Sequence, residues 1–330
     1  MIFEGALFSA PMASVTDTLF RNICEHYGGA DIYFTEMISA PALLQQGPLE
    51  AYYCDFSPCP EKTVAQLVGG RSADLIRAAA HLCSCYPELG GIDINMGCSA
   101  PLIRKKKAGI AWMSRYEELP ALLGQLRDVT AGKSLSVKFR IGLSDDEKAF
   151  FRFLEILASA KIDFVTFHGR TQKDKFRKNV RWDYFDKARE YLPFPVIANG
   201  DIDSLWRYRA LLRDHNPYGV MIGRAAARAP WLFPLLSQVS RKNPSDNLIS
   251  APVDFEAYVR LFTRHLDENV PLSLQKNRII RFTLYLSQNL FWGHHLLTAV
   301  SQAPTPQEAV SLLHGYFEKH PEEKRKKWSF

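Results

Sequence analysis

Seven polar or charged residues close short apolar runs in this chain: Glu36, Gln66, Asn95, Lys138, His168, Asn199 and Arg224. Groups of this kind at strand ends suit a polar ligand, because a buried amine, amide or imidazole with nothing to meet forfeits its hydrogen bonds. The last two runs end in Asn199-Gly200-Asp201 and Gly223-Arg224. Glycine there lets backbone N–H groups approach an oxyanion closely, and Arg224 can grip a phosphate through two parallel hydrogen bonds. Lys138 and His168 then suit the ring carbonyls of an aromatic cofactor. Cys98 follows Asn95 in IDINMGCSAPLIRKKKAGIAWM. A thiol with a pKa of about 8.5 is mostly protonated near neutrality and can donate a proton, although a lone cysteine is more often an inert buried thiol.

Two basic segments adjoin these residues. Beside Cys98 stand Arg104, Lys105, Lys106 and Lys107. Residues 168 to 189 carry eight Lys or Arg, among them Arg170, Lys175 and Arg177, against three Asp, with aromatics at 176, 182, 184 and 185. Cations that track phosphates, interleaved with rings that stack bases, suit single-stranded or looped RNA. The same patterns also describe a solvated face and a long surface loop with a packed Trp182.

The elements that must position these residues repeat. Apolar, β-branched runs near 6–12, 31–37, 62–69, 91–97, 134–142, 163–169, 194–201 and 218–224 read as strands. Between them, Asp17 to Tyr27, Ser72 to Tyr86, Ser114 to Val129, Asp145 to Ala160 and Asp203 to Asp214 read as helices opening on capping residues. Eight βα units in about 235 residues predict an α/β fold, a (β/α)8 TIM barrel, whose chemistry sits at the C-terminal ends of the strands. A doubly wound sheet is the competitor. It is disfavoured because no G-x-G-x-x-G follows the first strand and the polar residues are spread over nearly all the strand ends.

After Pro234 the pattern changes. Residues 241 to 247 are polar and turn-rich, and the chain beyond them lacks strand signals, which places a barrel domain at 1–240 and a small all-helical domain at 241–330. Phe255 to Glu268, Leu274 to Leu290 and Thr305 to Lys319 are its expected helices. The tail EEKRKKWSF gives no reason to expect order.

The 330 residues are 47% hydrophobic and 23% charged, which excludes collagen-like and mainly disordered classes. The net charge of +6 favours a polyanionic partner without requiring one. The N-terminus MIFEGALFSAPMASVTD lacks a leader pattern and no run of 18 apolar residues occurs, so a cytoplasmic protein with no membrane contact is expected. Six cysteines form no paired C-x2-C knuckles, no metal site is predicted, and nothing points to an obligate protein partner.

Taken in order, APMASVTDTLFR, AQLVGG, GIDINMGCSAP, KKAGIAWM, VKFRIG, TFHGRT, VIANGDI and VMIGRAAARAPWLF resemble the tRNA-dihydrouridine synthase family, closest to its bacterial branch, over most of residues 1 to 235. The later match, NRIIRFTLYL at 277 to 286, is weaker. The resemblance implies an FMN-binding barrel followed by a helical tRNA-binding domain. FMN would be held by Pro11, Met12, Ala13, Gln66, Lys138, His168, Asn199, Gly200, Asp201, Gly223 and Arg224, with NADPH as reductant and Cys98 as proton donor. Reducing the uracil C5=C6 bond needs a hydride at C6 and a proton at C5, hence a reduced flavin on one face of the base and an acid on the other. The expected tRNA contacts are Asn95, Arg104, Lys105, Lys106, Arg170, Lys175, Arg177, Arg278 and Arg281. This chain departs from the family pattern by delaying the proline after the cysteine to Pro101.

Two other functions fit some of these residues. An FMN barrel acting on a free pyrimidine, similar to dihydroorotate dehydrogenases, explains the flavin set but neither the helical domain nor the basic loops. A non-catalytic RNA-binding protein explains those loops but leaves Cys98, Lys138 and His168 idle.

Overall fold

The computed structural model describes residues 2–174, 178–239 and 250–330. Eight parallel strands form a closed barrel: β1 (Leu7–Ser9), β2 (Ile32–Phe34), β3 (Thr63–Val68), β4 (Gly91–Met96), β5 (Ser134–Gly142), β6 (Phe164–Thr171), β7 (Val196–Asn199) and β8 (Gly219–Ile222). Each pairs with its neighbours, and β1 pairs with β8 to close the ring. They coincide with the eight expected runs. A two-residue strand, Ile38–Ser39, adds to the edge of β3.

Strands in a barrel are covered on both faces, so their runs are mostly apolar. Here the period of two decides what each face meets. On β5, Leu135, Val137, Phe139 and Ile141 join the core under the helices, while Ser136, Lys138 and Arg140 turn inward. The barrel floor is sealed by Phe8, Phe34 and Phe164, whose ring centroids lie 5.8 to 6.5 Å apart. Val64, Ile197 and Met221 pack with them. Two residues beyond Val64, Phe164 and Ile197 stand Gln66, Thr166 and Asn199, so the interior turns polar toward the end of the barrel where the chemistry lies.

The outer helices are α1 (Thr18–His26), α2 (Ser72–Cys85), α3 (Leu119–Val129), α4 (Glu147–Ser159), α5 (Trp182–Tyr191), α6 (Leu205–His215) and the short α7 (Arg224–Arg228). Asp17 caps α1 as expected, accepting from the Phe20 N–H at 3.0 Å. The caps of α4 and α6 are Asp146 and Ser204, each one residue beyond the expected start. Ser114 caps nothing, because Gly109–Ser114 forms a 3₁₀ turn that buries Ile110 and Trp112, and α3 begins only at Leu119.

The expected boundary at 240 lies outside the described residues. Beyond it come α8 (Phe255–Asn269), α9 (Leu272–Leu286), α10 (Gly293–Gln302) and α11 (Pro306–Lys319), of which α10 is an addition to the three expected. The region is helical but not free of strands. β9 (Ser250–Asp254) pairs antiparallel with β10 (Arg325–Ser329), so the charged tail is ordered. Arg325 and Lys327 are exposed while Trp328 and Phe330 are buried, an alternation that the run of cations hides. Among the described residues no helix is long and apolar enough to cross a membrane.

Candidate active site

A cavity of about 350 Å³ opens at the C-terminal ends of the strands. Small-molecule sites commonly occupy about 300 to 1,000 Å³. Pro11, Met12, Gln66, Asn95, Cys98, Lys138, His168, Arg170, Asn199, Gly200, Asp201, Gly223 and Arg224 all line it, as most were expected to. Ala13 does not, and is exposed. Strand register explains the convergence: Asn95 pairs with Lys138, Arg140 with His168, and His168 with Asn199. Residues distant in sequence therefore stand at one height around the ring.

Beneath the cavity a hydrogen-bonded chain leads to the cysteine. Asp93 is fully buried; one of its oxygens accepts from Ser136 Oγ and the other from Gln66 Nε2, both at 2.7 Å. Burial raises its pKa to about 7 against the pull of those two bonds. Gln66 Oε1 accepts from Asn95 Nδ2 at 2.8 Å, and Asn95 Oδ1 accepts from the Cys98 N–H at 2.8 Å. From the other side, the Ile110 N–H donates to the Cys98 carbonyl at 3.0 Å. Gly109, at φ +62°, leaves that carbonyl room, since a Cβ there would stand 2.5 Å from it. The Cys98 backbone is thus fixed twice while its side chain stays partly exposed.

The basic turn after Cys98 is pinned in the same way. A Cβ on Gly70 would stand 2.0 Å from the Lys106 carbonyl oxygen, so only glycine admits this approach. Arg115 donates to the Gly70 and Lys107 carbonyls, both at 2.8 Å. Arg104, Lys105, Lys106 and Lys107 then point their charges to solvent.

Around the cavity the wall is cationic. Lys138 Nζ donates to Asn199 Oδ1 at 2.8 Å, and Asn199 Nδ2 donates to the Met221 carbonyl at 2.8 Å. Burial, and then the Arg140 guanidinium, lower the Lys138 pKa to about 7. Burial also brings Arg140 down to about 10, with Arg170 adding to it. Arg170 is itself buried, 2.5 Å from Asp201 Oδ2 and 3.1 Å from His168 Nε2. Arg224 reaches the other Asp201 oxygen at 3.1 Å. Burial, followed by Arg140 and Lys138, holds the His168 pKa well below its usual value, so the imidazole is neutral. Because Arg170 can only donate, Nε2 must accept and the ring proton sits on Nδ1.

These residues fit a flavin mononucleotide: amide, amine and imidazole groups for a polar ring, and a glycine-flanked arginine for a phosphate. Gly200 keeps the fit open, since its φ of +123° and the 2.8 Å between a hypothetical Cβ and His168 Cδ2 both exclude a side chain. Arg140, Met37 and Tyr285 also line the cavity and were not foreseen. Arg140 was within reach of the sequence, two residues past Lys138 on the same strand face. Tyr285 comes from α9, and no local signal marks it.

The expected RNA contacts divide. Arg104, Lys105, Lys106 and Arg281 are exposed, whereas Lys175 and Arg177 lie outside the described residues. Two placements correct the expected surface. Arg170 sits in the cavity wall because Asp201 and His168 hold it there. Arg278 is buried, paired with Asp17 and Glu36. Glu36 consequently faces Arg278 and does not line the cavity.

A family model described as dihydrouridine synthase (Dus) matches residues 8–303. A "Probable tRNA-dihydrouridine synthase" from Helicobacter pylori (strain ATCC 700392 / 26695) is 32% identical over 240 residues, covering 72% of each chain. The "tRNA-dihydrouridine synthase B" of Pasteurella multocida (strain Pm70) is 30% identical over 250 residues, 76% of this chain and 73% of its own. A solved 2-naphthoyl-CoA reductase complex superposes with a TM-score of 0.52 at 9% identity, over 72% of this chain and 51% of that one, which shows a shared fold.

Proposed function

Because the chain belongs to the dihydrouridine synthase family, we propose that it reduces the C5=C6 bond of uridines in tRNA to 5,6-dihydrouridine, with FMN in the barrel cavity and NADPH as the reductant. The observation that carries this is Cys98, a partly exposed thiol on a doubly fixed backbone in the same cavity as Lys138 and His168. Gln66, Lys138, His168 and Asn199 would hold the flavin ring, and Gly200, Gly223 and Arg224 its phosphate. When bound, FMN supplies the hydride for C6 that NADPH provides.

The chain's own residues do the rest. Cys98 holds on Sγ the proton that goes to C5, and solvent returns one to the sulfur after each turnover. Asn95, held by Gln66, fixes the Cys98 backbone so that the thiol's approach is set before substrate arrives. A uridine in a folded tRNA must be turned out of its stack, at a cost of a few kcal/mol. The exposed cations from Arg104 to Lys107 would offset that cost on the phosphate backbone. A cytoplasmic location is part of this reading, as one compartment in which a tRNA substrate would be met.

The test is to incubate the purified protein with NADPH and unmodified tRNA and map dihydrouridine along the product. Reduction at defined uridines, absent with Cys98→Ala, is expected. A yellow protein that consumes NADPH and reduces a free pyrimidine but leaves tRNA unchanged would replace this function with the small-substrate one.

A further inference from the structure

A buried ionic cluster outside the cavity joins the helical region to the barrel. Arg278, in the middle of α9, places Nε 2.9 Å from Asp17 Oδ2 and 2.9 Å from the Tyr52 hydroxyl, and its Nη2 donates to Glu36 Oε1. Tyr52 OH donates in turn to Asp17 Oδ2 at 2.6 Å. The side chains of Arg278, Asp17 and Glu36 are only 3%, 4% and 7% exposed. A buried ion group is a poor source of net stability, because desolvation offsets most of the attraction. Its placement is better explained by what it holds.

Glu36 uses its second oxygen on the turn that follows β1. Oε2 accepts from the Ser14 N–H at 2.5 Å, while Asn277, the neighbour of Arg278, donates to Ser14 Oγ at 3.0 Å. Ser14 has φ +62°, a left-handed conformation that a non-glycine residue keeps only when its surroundings enforce it. It closes a turn in which the Val15 N–H donates to the Met12 carbonyl at 3.1 Å and the Met12 N–H to Thr16 Oγ1 at 2.9 Å. Pro11 and Met12, which precede that turn, are cavity wall, and so is Met37, next to Glu36. Tyr285, two turns along α9 from Arg278, lines the cavity directly.

We propose that Arg278 is a positioning residue for the cofactor site: acting through Glu36, it holds the Ser14 turn and so shapes the Pro11–Met12 wall, coupling the docked helical region to flavin affinity. This rests on FMN occupying the cavity. Arg278 touches neither the cavity nor a reacting atom, and its effect passes through a carboxylate shared between two elements. The helical region thereby completes the barrel's cofactor site as well as contributing cations such as Arg281.

The experiment compares full-length wild type, Arg278→Gln, Arg278→Lys and Glu36→Gln by two readouts. One is the FMN dissociation constant from flavin fluorescence quenching. The other is hydrogen exchange in the apoprotein at the amides of residues 12–16, with β5 and β6 as internal controls. Arg278→Gln is expected to weaken FMN at least tenfold and to speed exchange at Ser14, Val15 and Thr16 while β5 and β6 stay protected. Arg278→Lys, which keeps a cation on Glu36, is expected to recover part of both. Wild-type FMN affinity in Arg278→Gln, or unchanged exchange at residues 14–16, overturns the proposal. If Arg278→Gln also loses protection in β5 and β6, Glu36→Gln, equal in size and left uncharged, is judged by the same two criteria. Wild-type protein that takes up no flavin sinks the cofactor assignment instead, and the exchange arm still decides whether Arg278 holds the turn.

Discussion

Lys138 Nζ stands 2.8 Å from Asn199 Oδ1, a neutral acceptor, and makes no ion pair among the described residues. An ammonium carries three donors, so this bond leaves two for a ligand. Burial and the adjacent Arg140 hold its pKa at about 7. A ligand that accepts from the ammonium stabilises the charged form, raises that pKa and takes up a proton on binding.

FMN affinity should therefore fall as the pH rises. Below about pH 7 the amine is charged in free and bound states, and affinity sits at its plateau. Above it the free protein loses the proton first, so affinity falls, by up to about tenfold per pH unit, until the pH passes the bound pKa. The second phosphate proton is already gone by then, with a pKa of about 6 for a phosphomonoester. FMN titrations between about pH 7 and 9 should show this fall in wild type. Lys138→Met should bind more weakly with a flat profile, and a flat wild-type profile would remove Lys138 from the cofactor.

Cys98→Ala removes the sulfur without touching what fixes its backbone, since Asn95 and Ile110 bond the main chain. Loss of a positioned general acid lowers rates by about 10² to 10⁴. Single-turnover dihydrouridine formation should drop by that order while FMN and tRNA dissociation constants stay within about twofold. A wild-type turnover rate in this variant would end the proton-donor role.

How far these residues could be seen beforehand depends on how local their determinants are. Lys138, His168 and Asn199 each close a run whose apolar partners declare a strand, and parallel register then gathers them without further information. Arg278 carries no such mark. Beside the exposed Asn277 and one turn from the exposed Arg281, its guanidinium looks like part of a solvated face, and its partner Glu36 lies 242 residues away. The same blindness hid β10, where cations on the exposed positions masked Trp328 on a buried one and Phe330 just past the strand. Gly200 shows the opposite case: its place after a strand was legible, but the reason for glycine required the position of His168.

That reason gives a third prediction. Gly200→Ala forces a Cβ into φ +123° and to within 2.7 Å of Val180 Cγ2 and 2.8 Å of His168 Cδ2. Strain of this kind costs about 1 to 3 kcal/mol, and its relief must move both Val180 and the imidazole, which stand on the same Cβ. Tm should fall and FMN binding weaken together. Gly124→Ala is the control: nothing lies within 4 Å of its Cβ, and it sits inside α3. Alanine there should stabilise by about 0.5 to 1 kcal/mol and leave FMN alone, as differential scanning calorimetry and flavin titration can check.

Lys105 and Lys106 supply the last prediction, because their backbone and side chains answer to different constraints. Gly70 and Arg115 hold the main chain of this turn, and the side chains extend into solvent. Changing them should therefore leave Tm, FMN affinity and the Cys98 loop unaltered. If each ammonium neutralises one phosphate, the slope of log K for tRNA against log salt should shrink by about 0.7 to 0.9 per lysine removed. The double variant Lys105→Ala/Lys106→Ala should lose about 1.5 from that slope, and Lys105→Glu/Lys106→Glu should also weaken binding at low salt. Retained slope and affinity in both variants would move the RNA path away from the cysteine loop, toward the cations of the 168 to 189 segment and Arg281.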